Sequence, residues 1–389
     1  MPTSGVGRFA VAVTAADTNY VYVLTTDNTN YAFYGLYRST NHGASFSTMS
    51  TLSGGAPNVL GRSQTGNDPT VGQGWYDLSM DVSPTNSDSV IVGGINMWAS
   101  GDGGATWTLN AEWTGSGAPY VHADVHSIEF VPGQGGAIVA TCDGGVFKTT
   151  DWGNSWNDLS NNLAIAQQYS VGPSRQTAGT FITGWQDNGT NLCTTGTWTQ
   201  NVGGDGMVAF IDNTTDNNMY AENPQGQMVR STNAGANWST ATSGMTETGP
   251  WVTQWMQDPK SGASSTLFAG LNNVWKSTNK GASWSKISTW SSASITALAV
   301  DSSNDNYIYA AQAGLLEYTT NGGTSWTNIT GSLPVGSASI TAITVNPKKP
   351  GHIWVTFSGY VSGDKVYQTY NFGTTWTNIS TGLPNLPVL

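Results

Sequence analysis

The chain has 389 residues and a net charge of −11, with only 10% of its residues charged. Binding to a nucleic-acid backbone needs clustered Lys and Arg, which this balance argues against. No apolar run approaches the roughly 20 residues of a membrane-spanning helix, so membrane insertion is not expected. Gly numbers 48 and Trp 17, which together with abundant Ser, Thr and Asn is the composition of a turn-rich all-β protein.

In chain order, the first segment, Phe9 to Val13, alternates like a strand. Arg8 to Val13, Tyr20 to Thr25, Gly35 to Arg38 and Ser45 to Ser50 then read as four short strands separated by turns. Between the third and fourth lies Ser39 to Phe46, whose pattern is Ser/Thr-x-Asp/Asn-x-Gly-x-Ser/Thr/Asn-Trp/Phe. It returns at Ser100 to Trp107, Thr149 to Trp156, Ser231 to Trp238, Ser277 to Trp284, Thr319 to Trp326 and Thr369 to Trp376. Each position has a local task. The Asp or Asn oxygen accepts N–H bonds of its own turn, the Gly takes a positive φ, and the aromatic anchors the returning strand. Five of the seven acid positions carry Asn, which moves no proton, so these turns build the fold and are not catalytic.

The step from Trp156 to Trp238 is twice the usual one and holds a degenerate unit. Its strand signals are Gln167 to Val171, Thr180 to Trp185 and Leu192 to Thr194, with Trp198 in the anchor position. First strands are expected near Arg8, Tyr76, Val125, Gln168, Met207, Val252, Ile295 and Ile340. The fold expected is therefore all-β, a single β-propeller of about eight four-stranded antiparallel blades in one domain, residues 1–389. The tail Gly382 to Leu389 reads as the lead into a further inner strand, so an intact ring is expected to have at least eight blades. Cys142 and Cys193 are compatible with one bridge or with two buried thiols.

In such a blade the second-to-third-strand turn and the blade-to-blade loop emerge at the end opposite the repeat turn. The idiosyncratic clusters fall there, and loops of this kind on a rigid scaffold are where function concentrates. Trp75, Tyr76, Asp77, Tyr120, Trp185, Asp187, Trp251 and Trp255 are the candidate ligand-binding residues. Repeat register places Asp124 and Asp205 at equivalent positions, where the plain repeat has Ser294. His122, Asp124 and His126 alternate, so on an extended strand they share a side. With Asp205 they form the candidate metal set; calcium is favoured if carboxylates dominate and zinc if both histidines turn inward. The same acids can instead tie the N–H groups of tight glycine turns. No catalytic residue is assigned; in an enzyme the pair would be Asp124 and Asp205.

The repeat turn resembles the Asp-box, or BNR, repeat. Sialidases, xyloglucanase-type glycoside hydrolases, the sortilin family and a photosystem II assembly factor carry it, so the resemblance implies a β-propeller without fixing an activity. The segments Gly-Gln-Gly-Trp-Tyr-Asp, His-Ala-Asp-Val-His, Gln-Asp-Asn-Gly and Gly-Gly-Asp-Gly-Met resemble secreted BNR-repeat propellers of Bacteroidota, often exported by the type 9 system with a C-terminal sorting domain. That resemblance and the composition imply an extracellular or cell-surface protein in mature or recombinant form. A xyloglucanase-type site needs two facing propellers and a sialidase site three arginines around a carboxylate. Here one propeller is read, and of five arginines Arg38 and Arg230 lie beside repeat turns. The expected function is a module binding a glycan or protein ligand at the end away from the repeat turns, with no required cofactor. A polysaccharide-active hydrolase and a structural subunit of an extracellular assembly are the alternatives.

Overall fold

The computed structural model describes the chain except residues 164, 261, 263, 264, 291, 292 and 389, so the last residue of the tail lies outside the described residues. The described residues form eight four-stranded antiparallel sheets, each a meander whose strands pair in chain order. This is the build of β-propeller blades, and the chain is all-β. Among the described residues the only helix is one 3-10 turn, Leu52–Gly54, and no helix is long and apolar enough to cross a membrane. Two compact units are present: Met1–Ile165 holds blades 1 to 3 and Ala166–Leu389 holds blades 4 to 8.

Blade 7 shows why these sequences make blades. Its first strand, Ile295–Val300, and second strand, Ile308–Gln312, are apolar on both faces because neighbouring blades cover both. On one face Ile295, Leu298, Val300, Ile308 and Ala310 pack with Phe268 and Val274 of blade 6. On the other, Ala297, Ala299, Tyr309 and Ala311 pack with Ile340, Ile343, Ile353 and Val355 of blade 8. Unit 1 repeats the scheme between blades 1 and 2, where Tyr22, Leu24 and Leu36 meet Met80, Val82, Val90 and Val92.

First strands start at Val6, Ser79, Val125, Gln167, Ala209, Gln254, Ile295 and Ile340. The expected starts at Val125, Ile295 and Ile340 hold. Those at Tyr76, Met207 and Val252 come two or three residues early, because the loops into these strands bend back first; Tyr76 and Asp77 both donate their N–H to the Gln73 carbonyl, at 2.6 and 3.1 Å. Blade 4 is complete without a repeat turn, but Trp198 is no buried anchor. It lies in the fourth strand, Thr197–Val202, half exposed, its ring edge-on to Phe181.

The repeat turn of blade 6 joins Val274–Ser277 to Ser285–Lys286 through residues 278–284 and holds two consecutive left-handed residues, Lys280 (φ 60°) and Gly281 (φ 73°). Asn279 Oδ1 accepts the Ser283 N–H at 2.9 Å and the Ser277 hydroxyl at 2.9 Å, and that hydroxyl accepts the Gly281 N–H at 2.9 Å. The hydroxyl at the seventh position makes Asp and Asn interchangeable. It accepts from the amide at Asn279 (2.8 Å to Ser283 Oγ) and donates to the carboxylate at Asp151 (2.7 Å from Ser155 Oγ). The anchor indoles also bond between blades: Nε1 of Trp284, Trp326 and Trp376 donates to Ala241, Ile287 and Ile329 carbonyls of the preceding blade at 2.7–2.8 Å. Both cysteines are free thiols, Cys193 buried and Cys142 half-buried.

Candidate functional site

A shared backbone contact defines where each blade begins. The N–H groups of Val125, Gly206 and Ile295 donate to the carbonyls of Gly94, Trp185 and Leu271, at the end of the preceding blade's second strand. The residue just before each donor, Asp124, Asp205 or Ser294, therefore holds the same place in its repeat. Val388 makes the same kind of contact with the Phe357 carbonyl at 3.2 Å.

In unit 1 this entry position gathers a polar cluster from the loop before blade 2 and from blade 3. Gln73 Nε2 donates to Asp124 Oδ1 at 2.6 Å and reaches Asp77 Oδ2 at 3.5 Å. Asp143, in the second-to-third-strand turn of blade 3, accepts the Tyr76 hydroxyl on one oxygen at 2.8 Å. Its other oxygen takes His126 Nε2 at 2.7 Å. The Tyr76 and His126 rings meet edge-on at 4.7 Å, and the Trp75 ring lies 5.5 Å from that of Tyr76. Beneath them the Arg8 guanidinium donates to the carbonyls of Gly74, Trp75 and Tyr76 at 3.1–3.4 Å. Arg8 is thus a structural clamp. Trp75 is 60% exposed above it.

The electrostatics divide the acids by depth. Burial, and next the Asp124 carboxylate beside it, pushes the Asp77 carboxyl well above the usual carboxylate range. Asp124 is also raised, by burial and by the charge of Asp143, against its bond to Asp77. Asp77 is therefore the protonated partner.

Two expectations are corrected here. Asp77 is fully buried and supports the loop from below, so it is not a ligand contact. His122, Asp124 and His126 do not alternate along one strand: Asp124 is left-handed (φ 63°) and the strand begins at Val125. His126 then faces Asp143, while His122 Nδ1 lies 3.2 Å from the Ala123 carbonyl and its ring covers Gly144, where a Cβ would collide with it. Asp143 and Gln73, neither of them among the expected site residues, are the hubs. Both Asp143 oxygens and His126 Nε2 are engaged by protein groups. Tyr120, exposed, sets its ring edge-on to Phe147 at 5.9 Å.

In unit 2, Asp205 Oδ1 accepts the N–H of Asp187 at 3.0 Å, and Asp187 is left-handed (φ 61°). These two acids therefore shape the turn of blade 4. Trp185 donates its Nε1 to Thr183 Oγ1 at 3.0 Å and packs on Trp198. Trp251 is exposed, but Trp255 is buried against Phe210 and Tyr220, a core residue where a ligand contact was expected. Sequence reasoning also missed Glu222, at the end of the second strand of blade 5. It is fully buried and accepts the N–H groups of Thr253 at 3.0 Å and Gly226 at 3.3 Å. Burial pushes its carboxyl up to about 7 despite those bonds. Its place at a strand end before a Gly-containing turn was the available signal.

No protein-family model and no curated protein matches the chain. Solved structures do. A GH74 enzyme of Niastella koreensis is 16% identical over 96% of this chain and 78% of its own, with a TM-score of 0.29. The GH74 xyloglucanase of Xanthomonas campestris is 16% identical over 98% and 67%, with a TM-score of 0.28. YCF48 of Cyanidioschyzon merolae is 14% identical over 76% and 95%, with a TM-score of 0.39. TM-scores below 0.5 leave the fold to rest on the chain's own eight sheets.

Proposed function

We propose that this chain is a glycan-binding module of the cell surface or extracellular space, with the Trp75–Tyr76 face of unit 1 as a docking platform. The observation that carries the reading is an exposed indole on an immobilised loop. Arg8 fixes the backbone of residues 74–76, and Asp143 fixes the Tyr76 hydroxyl. A flat apolar ring that is already ordered loses little entropy on binding, and the C–H face of a sugar stacks on it. The Asp143 carboxylate, with lone pairs left beyond its bonds to Tyr76 and His126, can accept a sugar hydroxyl. A glycan array on the wild type and on Trp75→Ala tests this. Binding lost with the indole supports the platform; binding of equal strength without it, or no binding to any glycan, removes it. A protein ligand in place of a glycan would show as complex formation in size-exclusion light scattering with an array that stays blank.

The hydrolase reading is favoured by one observation, a protonated Asp77 beside the Asp124 carboxylate, which has the form of an acid and base pair. Full burial keeps Asp77 from reaching a glycosidic oxygen, so binding is the better reading. The expected outcome is no reducing sugar released from xyloglucan, β-glucan or a sialoside. Release that disappears in Asp124→Asn would promote the enzyme.

A further inference from the structure

Blade 5 carries a cavity of about 500 Å³ between its second-to-third-strand turn and the loop that leaves its fourth strand, residues 241–248. We infer that this cavity is a second binding site, for a neutral saccharide, independent of the Trp75 platform.

Both walls are fixed. The turn at Gln225 and Gly226 is left-handed at both residues, and Glu222 underneath accepts the Gly226 N–H. The Gln225 carbonyl also accepts the Gly249 N–H at 3.0 Å. On the opposite wall the Ala241 N–H donates to the Met228 carbonyl at 2.9 Å, and the Trp284 N–H to the Ser243 carbonyl at 2.9 Å. Glu247 is anchored by the Asn273 N–H at 3.0 Å and side-chain amide at 2.8 Å, and by the Trp275 indole at 3.2 Å. A cavity with walls held this way exists before a ligand arrives.

The side chains that line it are, by contrast, uncommitted. Gln225, Gln227, Thr240, Thr242 and Thr248 make no side-chain hydrogen bond among the described residues, and all but half-buried Thr242 are exposed. Asn223 donates to the Gly203 carbonyl at 3.1 Å, but its buried Oδ1 has no partner. The lining is therefore amides and hydroxyls, with half-buried Val229 and Met245 as the accessible apolar part and Met228 fully buried. Several neutral donors and acceptors around an apolar surface match a ring that carries hydroxyls at its edge and C–H bonds on its face. An anionic ligand is disfavoured, since the one charged lining residue is Glu247. The volume lies within the range of about 300–1,000 Å³ typical of small-molecule sites and suits one or two sugar rings.

The test uses the full chain with 13C-methyl-labelled methionine, titrated with cellobiose, lactose and maltose and, separately, with 3′-sialyllactose. Only 9 methionines are present, so Met228 and Met245 can be assigned by single substitution. A saturable shift of the Met245 methyl with at least one neutral disaccharide, weakened about tenfold or more in Gln227→Ala/Thr242→Ala, is the expected result. The single Gln227→Ala, at an exposed position, serves if the double variant loses stability. No shift of the Met245 methyl with any disaccharide at millimolar concentration would overturn the proposal. A shift undiminished in the variants, or one confined to 3′-sialyllactose, would overturn it as well. The Met228 and Met245 methyls report blade 5, and the array on Trp75→Ala reports unit 1, so either site can fail without the other.

Discussion

The two ends of a blade treat the same side chains in opposite ways. At the repeat turns, acids are exposed and surrounded by donors. Bonds from the Thr149 hydroxyl, then from Ser155, hold Asp151 down to about 2, and Asp102 is likewise lowered, its Thr106 and Ser100 bonds outweighing burial. At the other end the acids lie under loops, and burial raises Asp77, Asp124 and Glu222. Glu112, after the fourth strand of blade 2, is the instructive exception. Burial would raise it too, but N–H groups of Thr114, Gly117 and Ser116 and the Thr114 hydroxyl converge on it and hold it to about 2. Burial alone does not set the protonation of a loop acid; the number of donors built around it does.

The comparison is tested most severely at Glu112. Glu112→Ala should lower stability by about 4 kcal/mol, since each buried donor left unmade costs roughly 1–3 kcal/mol, and Glu112→Gln should recover part of that. Chemical denaturation at neutral pH reads it; a change within error would mean that water replaces the carboxylate.

Glu222 tests the opposite sign. Its folded pKa, about 7, lies above the ordinary 4.5, so the folded state keeps a proton that the unfolded chain loses. Its contribution is fully present below about pH 4.5 and is lost as pH rises through about 7. The loss is on the order of 3 kcal/mol, from roughly 1.4 kcal/mol per pKa unit. Glu222→Gln should flatten the stability profile in that window, and an unchanged slope would assign the dependence to other groups.

Smaller effects belong to the repeat turns. Gly281→Val should cost about 1–2 kcal/mol, because a β-branched residue resists φ 73°. Asn279→Asp should change the melting temperature least, within about 0.5 kcal/mol, because Ser283 can reverse its hydrogen bond as Ser155 does beside Asp151. A loss as large as that of Gly281→Val would show that the seventh-position hydroxyl does not equalise the two.

Much of the fold was legible because it is written in local signals repeated many times. The turn motif, the strand alternation and the spacing of the anchors gave eight blades, and blade 4 emerged from a gap of twice the usual length. Register gave more: Asp124 and Asp205 could be aligned because inner strands begin at a fixed distance from the strand ends that follow. What failed were statements about depth. Trp75 and Trp255 are both loop-side tryptophans in the sequence, yet one is exposed and the other is buried edge-on against the stacked Phe210 and Tyr220 rings. Exposure depends on what the adjacent blade brings, which no local pattern contains.

The sequence by itself determined the strands, the turns and the order in which they pair, because hydrogen bonding within a meander and left-handed turn residues are short-range matters. Only the tertiary structure decided which acids keep a proton and which aromatic rings stay bare. The joining of Tyr76, His126 and Asp143, and the opening of a cavity beside Gln227, were likewise decided there. Each of these depends on groups from separate turns meeting in one place, where burial and the count of nearby donors, rather than residue type, set the chemistry.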